Sequence, residues 1–200
     1  WVNPGYGGGD KQPGIWWDTY INDVHFICID GRYYRTDPKK TKGEPSMLGP
    51  AQKRWLLSTI KKSRGTFKVL ISPVPWVFKA KGDSRDTWSG FKKERNEIFT
   101  FLTENKIEGV VLMSADRHRS DLWKIDRPDD YALYEFNSSR LTNQHVHKTM
   151  EAAIFSYNAK QSFGTVDFDT TAADPTATYR IHTIDGEQVF QHTVKRNELN

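Results

Sequence analysis

Asp116 and His118 are the two residues whose types and spacing most clearly suggest chemistry. They follow the apolar run Gly109–Met113, which is typical of a strand buried on both faces. In open α/β sheets, functional residues gather at the carboxyl ends of parallel strands. Carboxylate oxygens and imidazole nitrogens bind hard or borderline metal ions, so the pair predicts a metal site. On spacing alone, an aspartate that caps a turn beside a surface histidine is the simpler alternative.

Four arginines lie in loops that follow predicted strands. A guanidinium group offers the paired N–H donors that a phosphate accepts, so these arginines are candidate phosphate ligands. For any one of them, a solvated loop arginine is the simpler alternative. The four candidates are Arg32, Arg35, Arg117 and Arg119.

Several other residues of chemical interest are interpreted as structural. Trp55 and Trp88 are expected to anchor the core, and Cys28, inside a predicted strand, is expected to be inert. His145 and His147 would share one face of a strand, but no carboxylate motif lies near them in the sequence. We therefore expect both histidines to be structural.

The composition excludes several classes of protein. A single cysteine rules out an internal disulfide framework and a cysteine-rich zinc site. The 29 basic and 25 acidic residues leave a net charge of only +4, which argues against a nucleic-acid-binding module. No apolar run approaches the roughly 18 residues of a membrane span. With 36% hydrophobic and 13% aromatic residues, the chain is expected to fold around a core.

Two kinds of pattern divide the chain. The first half alternates strands and helices in a βαβαβ order, which predicts a layered α/β sheet. The second half contains short strands, the last two joined by an Asp185-Gly186 hairpin turn, and is antiparallel in character. The first-half elements are expected near residues 23–30, 49–65, 66–72, 92–105 and 109–113, and the later strands near 121–125, 131–136, 163–168, 177–184 and 188–194.

Six phrases in a fixed order resemble the carboxyl-terminal part of the PhoD-like (alkaline phosphatase D) metallophosphatases, a branch of the calcineurin-like phosphoesterase superfamily. Together they span roughly residues 1–143. The phrases are Trp1–Gly7, Phe26–Arg35, Met47–Leu56, Asp86–Phe91 with Glu94 and Arg95, Ser114–His118, and Glu135–Ser139.

This resemblance implies a fold and a domain organisation. The expected fold is α/β, becoming α+β at the C-terminal end: half of a layered metallophosphoesterase β-sandwich with flanking helices and C-terminal antiparallel strands. Residues 1–160 would form the C-terminal portion of the metallophosphatase domain, and residues 161–200 an antiparallel extension of the same domain. The opening Trp1–Gly9 is rich in turn residues, and we expect it to be the interior of a loop within a longer protein.

The resemblance also implies an activity, the metal-dependent hydrolysis of phosphate mono- or diesters, as in a phosphatase or phosphodiesterase. Asp116 and His118 would be catalytic and metal-binding residues, while Arg32 and Arg35 would bind the substrate phosphate. Two or more metal ions are implied, iron and calcium by family expectation, with zinc or manganese as alternatives. The implied partners are a phosphate ester and the upstream part of the same protein, with nucleic acid only as a substrate. Export to the periplasm or the cell exterior is implied as well.

Two departures from the family pattern bear on these expectations. Ala115 replaces a glycine, which would strain the turn if that position needs a positive φ. The superfamily's first metal motifs are absent from these residues, so the segment would carry half a site and be inactive alone. Trp88 and Gly90 would shape the pocket wall.

Three interpretations remain open at this point. The chain is the C-terminal portion of a PhoD-like phosphatase, or a truncated or degenerate relative that binds without catalysis, or an unrelated α/β binding domain.

Overall fold

The computed structural model describes residues 12–78, 80–142 and 144–200, so the predicted loop at Trp1–Gly9 lies outside the described residues. Two helices, α1 (Gly49–Lys62) and α2 (Lys92–Glu104), accompany two sheets. The strands in chain order are β1 (Trp17–Ile21), β2 (Val24–Cys28), β3 (Phe67–Ile71), β4 (Ala80–Asp83), β5 (Val110–Ser114), β6 (Ser120–Arg127), β7 (Asp130–Ser138), β8 (Phe155–Tyr157), β9 (Ser162–Asp169), β10 (Thr176–Thr183) and β11 (Gln188–Lys195).

The larger sheet has seven strands in the order β1-β2-β3-β5-β7-β6-β8. Its centre is parallel, since β2 pairs with β3, β3 with β5 and β5 with β7 in the same direction. The predicted α/β arrangement is therefore confirmed. The second half is not wholly antiparallel, however, because β7 turns back from β6 and enters the sheet beside β5, with Leu112 opposite Glu135.

The smaller sheet is antiparallel, in the order β11-β10-β9. Its β10–β11 hairpin turns at Gly186, whose φ of 83° is readily adopted by glycine. The antiparallel C-terminal strands agree with the expected fold class. Three strands were not predicted from the sequence: β1, β4 and β8.

Two apolar cores lie on opposite faces of the larger sheet because side chains alternate along each strand. Leu112 of β5 packs with Leu56 of α1 and Ile98 of α2. Its neighbour Val111 points the other way and packs with Tyr179 of the smaller sheet. The molecule therefore has three layers, helices, a seven-stranded sheet and a three-stranded sheet.

Helix α1 begins as predicted at Gly49 and Pro50. The side chain of its N-cap residue, Leu48, forms no capping hydrogen bond. Instead, the carboxylate of Glu94 on α2 accepts hydrogen bonds from the backbone N–H groups of Met47 (2.5 Å) and Leu48 (3.3 Å). This contact fixes the two helices against each other. No helix in the described ranges is long and apolar enough to cross a membrane.

Candidate active site

The loop after β2 carries Arg32 and is shaped by two buried polar side chains. The Asp30 carboxylate accepts hydrogen bonds from the backbone N–H groups of Arg32 (2.8 Å) and Tyr33 (3.0 Å). The amide of Gln52 on α1 accepts from the Asp30 N–H (2.7 Å) and donates to the Asp30 carbonyl (2.9 Å). Helix α1 thus holds the end of β2, and this fixes where the arginine-bearing loop leaves the sheet.

Arg32 and Arg35 converge on one carboxylate, that of Asp86. Nη1 of Arg32 lies 3.0 Å and Nη1 of Arg35 lies 2.6 Å from Asp86 Oδ1, while Lys81 Nζ lies 3.3 Å from Oδ2. Burial alone would raise the pKa of Asp86, but the hydrogen bonds from Arg35 and Arg32 outweigh it and lower the pKa to about 2. Asp86 is therefore ionised at neutral pH.

The turn that presents Asp86 depends on a glycine. A Cβ atom at Gly90 would lie 2.2 Å from the backbone oxygen of Arg85, a distance that no side chain tolerates. Trp88 in the same turn is fully buried and stacks on Trp76, with ring centroids 4.7 Å apart. Trp88 is therefore a core anchor, as its interpretation from the sequence proposed.

Asp116 lies just beyond the end of β5 with a φ of 74°. Its Oδ2 atom is buried and has no hydrogen-bond partner, although Lys81 Nζ lies 3.5 Å and Arg117 Nη1 3.9 Å away. The preceding Ala115 is not among the described residues with positive φ, so the methyl group in place of the family's glycine causes no backbone strain. The strained position is the aspartate itself, and such strain clusters at functional sites.

The His118 ring lies against the rings of two other histidines. The ring centroids of His118 lie 5.7 Å from His145 and 5.4 Å from His147, and those of His145 and His147 lie 4.9 Å apart. One ring nitrogen from each residue falls within 4.8 Å of the other two, and this group does not include Asp116. His145 and His147 lie in an irregular segment and not on the strand that we considered from the sequence.

The electrostatic surroundings of His147 favour its neutral imidazole. Burial lowers the pKa of His147 to about 4, and the positive charge of Arg117, the neighbouring histidines and the charge of Arg119 act in the same direction. His147 therefore keeps its ring lone pair throughout the neutral range, the form in which imidazole binds metals.

Arg117 and Arg119 are buried and have hydrogen-bond partners within the fold. The Nε atom of Arg117 donates to the carbonyl of Ala80 (3.1 Å), and Arg119 forms an ion pair with Asp121 through Nε at 2.8 Å. Arg119 is 1% and Asp121 0% exposed. Neither arginine is a solvated loop residue. Asp121 compensates the charge of Arg119, and the interpretation of these two arginines as phosphate ligands stays a prediction.

The carboxylate of Glu135 on β7 connects the end of β5 with the segment that follows β3. It accepts hydrogen bonds from the backbone N–H groups of Trp76 (2.9 Å) and Val77 (2.8 Å) and from the hydroxyl of Ser114. Burial raises the pKa of Glu135 to about 7, while these hydrogen bonds oppose the rise. Asn137 adds hydrogen bonds to the Ser114 hydroxyl (2.9 Å) and the Ala115 carbonyl (3.0 Å), so the turn before Asp116 is firmly held.

Comparison with known proteins identifies the family. The profile described as PhoD-like phosphatase matches residues 15–193. The chain belongs to the PhoD-like phosphatase family. This excludes the interpretation as an unrelated α/β binding domain.

Two relatives of this PhoD-like chain illustrate the match. Alkaline phosphatase D of Bacillus subtilis (strain 168) is 28% identical over 119 residues, which cover 51% of this chain and 20% of that protein. A solved structure described as "Structure of PhoD" superposes with a TM-score of 0.68 at 18% identity, covering 98% of this chain and 43% of that one. The chain therefore shares the PhoD fold and spans less than half the length of either relative.

The candidate metal-binding atoms in this PhoD-like chain are of two kinds, which suit different metal ions. Asp116 offers a buried carboxylate oxygen without a hydrogen bond, and carboxylate oxygen suits calcium and other hard ions. The histidine cluster offers three nitrogens, which suit zinc, copper, nickel or iron better than calcium. The described residues thus fit a share in a metal centre, with an oxygen donor at Asp116 and a separate group of nitrogen donors at the three histidines.

Sequence reasoning did not assign a role in this site to five of its residues. Asp86 and Glu135 lie within phrases that carry the family resemblance, but no sequence pattern indicated which residues they contact. No motif in the sequence indicated a functional role for Lys81. The histidine pair His145 and His147 was seen and set aside, although its spacing matched that of Asp116 and His118.

Proposed function

We propose that this chain supplies part of the active site of a metal-dependent phosphoesterase that hydrolyses phosphate mono- or diesters. Asp116 and His118 serve as metal ligands in this proposal, and Arg32 and Arg35 bind the phosphate group. Metal ions held by Asp116 and by His118 would polarise the phosphoryl group and activate water for in-line attack. The family membership supports the reaction class, and the residue roles are our own assignment.

The observation that carries the proposal is the state of the Asp116 carboxylate. Its Oδ2 atom is buried without a hydrogen bond, on a residue held at a φ of 74° at the end of a parallel strand. Lys81 Nζ, at 3.5 Å, and Arg117 Nη1, at 3.9 Å, lie near this oxygen but form no hydrogen bond with it, so the carboxylate retains the capacity to bind a metal ion. A residue that merely capped a turn would direct this oxygen at a backbone N–H.

The two proposed phosphate ligands are positioned differently. The side chain of Arg32 is 48% exposed and that of Arg35 is 25% exposed, and both are paired with Asp86. Asp86 holds the guanidinium groups side by side, so they face a phosphate as a preformed pair. Holding donors in place before the substrate arrives lowers the ordering cost of binding.

Asp116→Asn in the full-length protein tests this proposal. The substitution keeps the size and one oxygen but removes the charge, so we expect hydrolysis of p-nitrophenyl phosphate and bis-p-nitrophenyl phosphate to fall by at least about a hundredfold. His118→Ala is expected to reduce turnover as well. The matched control is Asp129→Asn, because Asp129 also has a positive φ, 58°, but lies in the β6–β7 turn. Full activity in Asp116→Asn would reject the assignment.

The second candidate function is a non-catalytic relative that binds without hydrolysis. It is favoured by the ion pairs that already occupy both Arg32 and Arg35. A full-length, metal-loaded wild-type protein that hydrolyses neither ester would support this alternative. Turnover of either ester would exclude it.

The remaining roles are proposed on the resemblance alone. The upstream part of the protein would complete the metal centre with further ligands, iron and calcium being the expected ions. Export to the periplasm or the cell exterior belongs to the same proposal.

A further inference from the structure

We propose that His118, His145 and His147 form a three-imidazole site for one zinc-class divalent ion, separate from the Asp116 carboxylate. Neither the family match nor the relatives assign a role to His145 or His147. The inference stands on the arrangement of the three side chains and does not depend on phosphatase activity. Its ligand would be Zn²⁺ or an ion of similar preference, such as Co²⁺ or Ni²⁺.

The first argument is distance. One ring nitrogen from each histidine lies within 4.8 Å of the other two. In a tetrahedral zinc site with Zn–N bonds of 2.0–2.1 Å, the nitrogens are about 3.4 Å apart. Small rotations about the side-chain bonds of His145, which is exposed, and of the half-buried His118 and His147 cover that difference.

The second argument is the hydrogen bond that orients His118. Its Nδ1 lies 3.0 Å from the carbonyl oxygen of His145. A carbonyl oxygen can only accept, so Nδ1 carries the hydrogen and the neutral ring has its lone pair on Nε2. Metal-binding histidines are typically held in this way, with one ring nitrogen donating to a carbonyl or a carboxylate while the other binds the ion.

The third argument is that both sides of the cluster are anchored to the fold. The backbone N–H of His118 donates to the hydroxyl of Ser139 (2.9 Å), at the end of β7. The carbonyl of His147 accepts from the side-chain amide of Asn158 (2.9 Å), just after β8. The irregular segment that carries His145 and His147 is therefore tied beside the end of β5, and the three rings meet there.

The donor set decides the class of metal. Imidazole nitrogens are ligands that zinc-class ions accept well, whereas hard ions prefer oxygen ligands. Three histidines with one further open position are a common ligand set of zinc. Arg117 and Arg119 lie near the cluster and oppose a cation, but Asp121 is paired with Arg119 at 2.8 Å and offsets part of that charge.

The test measures metal binding by the full-length protein after chelator treatment and reloading. Zn²⁺ stoichiometry and affinity are determined by titration, and Co²⁺ loading is followed by visible absorption, which reports the ligands of the ion directly. The variants are His145→Gln, His147→Gln and the double substitution. The matched control is His182→Gln, because His182 lies on β10, where it stacks on Phe163.

We expect each single variant to weaken Zn²⁺ binding by at least about tenfold, the lower end of what the loss of a supporting residue costs. The double variant is expected to lose one equivalent of Zn²⁺ and the Co²⁺ band. His182→Gln and Asp116→Asn are expected to retain both. An unchanged Co²⁺ spectrum in the double variant would overturn the proposal. Loss of the band in Asp116→Asn would overturn the claim that the two sites are separate.

Misfolding cannot obscure the result. His145 is exposed, so His145→Gln removes no core contact and carries the test by itself if the double variant proves unstable. Wild-type protein that binds Co²⁺ without an imidazole signature would also overturn the proposal.

Discussion

Lys81 Nζ lies 3.5 Å from Asp116 Oδ2, a contact between the carboxylate proposed to bind a metal ion and a cation of the chain itself. The same nitrogen lies 3.3 Å from Asp86 Oδ2, so Lys81 connects the metal side of the site to the arginine pair. In the absence of a metal ion, Lys81 compensates the Asp116 charge. A metal ion must therefore compete with a lysine for this carboxylate.

This competition makes a prediction for Lys81→Gln. Removing the positive charge should raise the affinity of Asp116 for a hard divalent ion by about two- to fivefold, which is the effect of a screened ion pair worth up to about 1 kcal/mol. Binding of Mn²⁺ to the full-length protein, followed by electron paramagnetic resonance, measures this. Lys160→Gln is the control, since Lys160 is paired with Asp185 beside the smaller sheet. Equal affinity in wild type and Lys81→Gln would show that the contact does not influence the ion.

Arg32→Ala should affect the substrate and leave the metal in place. The loss of one charge-assisted hydrogen bond to phosphate costs about 1.5–3 kcal/mol, so we expect KM to rise about 10- to 100-fold, or kcat to fall by a similar factor. Metal content, measured by elemental analysis, should not change. Arg54→Ala, on the exposed face of α1, controls for the loss of a surface arginine. A loss of metal together with activity would place Arg32 in the metal site instead.

The sequence predicted the parallel centre of the sheet because β3 and β5 are mostly apolar, with Lys68 and Ser114 as their polar residues, and are separated by clear helix signals. It could not predict β1, with four of its five residues exposed, or β8, with only three residues, because short or polar strands carry little hydrophobic pattern. β4 was missed for the same reason: its Ala80–Asp83 stretch contains a lysine and a glycine and resembles a loop.

The candidate site was predictable only in part, for a different physical reason. Asp116 and the arginine-bearing loop follow strand ends, and strand ends meet at one edge of a parallel sheet. The partners of these residues come from distant segments: Asp86 is 54 residues beyond Arg32, and His145 is 27 beyond His118. Composition likewise gave no sign that Arg117 and Arg119 would be buried, because burial of an arginine depends on a partner such as Asp121.

The buried pair of Arg119 and Asp121 should be important for stability. Asp121→Ala would leave Arg119, which is 1% exposed, without its counter-charge, and breaking such a pair typically costs about 3–5 kcal/mol. Asp121 also accepts hydrogen bonds from Trp123 Nε1 (3.2 Å) and Ser156 Oγ (2.6 Å), which would be lost as well. Urea unfolding of the full-length protein measures the change.

Two comparisons isolate the contribution of the buried charge. Asp167→Ala removes the partner of Arg180 from an ion pair in which Asp167 is 70% exposed, and it should change stability little. Replacing Arg119 by Met together with Asp121→Ala removes both charges, and this double variant should be more stable than Asp121→Ala alone. A double variant that is no more stable would show that the cost comes from lost hydrogen bonds and not from the unpaired charge.

Glu135 should make the stability of the protein depend on pH. Burial raises its pKa in the folded state from the ordinary 4.5 to about 7, against the opposing hydrogen bonds from Ser114, Trp76 and Val77. Between these two values the folded state keeps a proton that the unfolded state has released. The free energy of unfolding therefore decreases as the pH rises through this window and levels off above about 7, with a total contribution of about 3 kcal/mol.

Glu135→Gln tests this dependence because glutamine cannot titrate. At pH 5 the variant should be less stable than wild type. Both oxygens of the Glu135 side chain accept hydrogen bonds from backbone N–H groups, and the amide N–H₂ of glutamine cannot accept such a bond. The difference in the free energy of unfolding between wild type and the variant should narrow between pH 5 and pH 8, because only wild type loses the stability that the bound proton contributes. Urea midpoints at each pH measure this difference. All other titrating groups are common to both proteins, so their effects on stability cancel. Glu104→Gln, at the exposed end of α2, is the matched control for the substitution itself. If the gap between Glu135→Gln and wild type is constant with pH, then Glu135 is ionised in the folded protein and its hydrogen bonds, not burial, dominate its pKa.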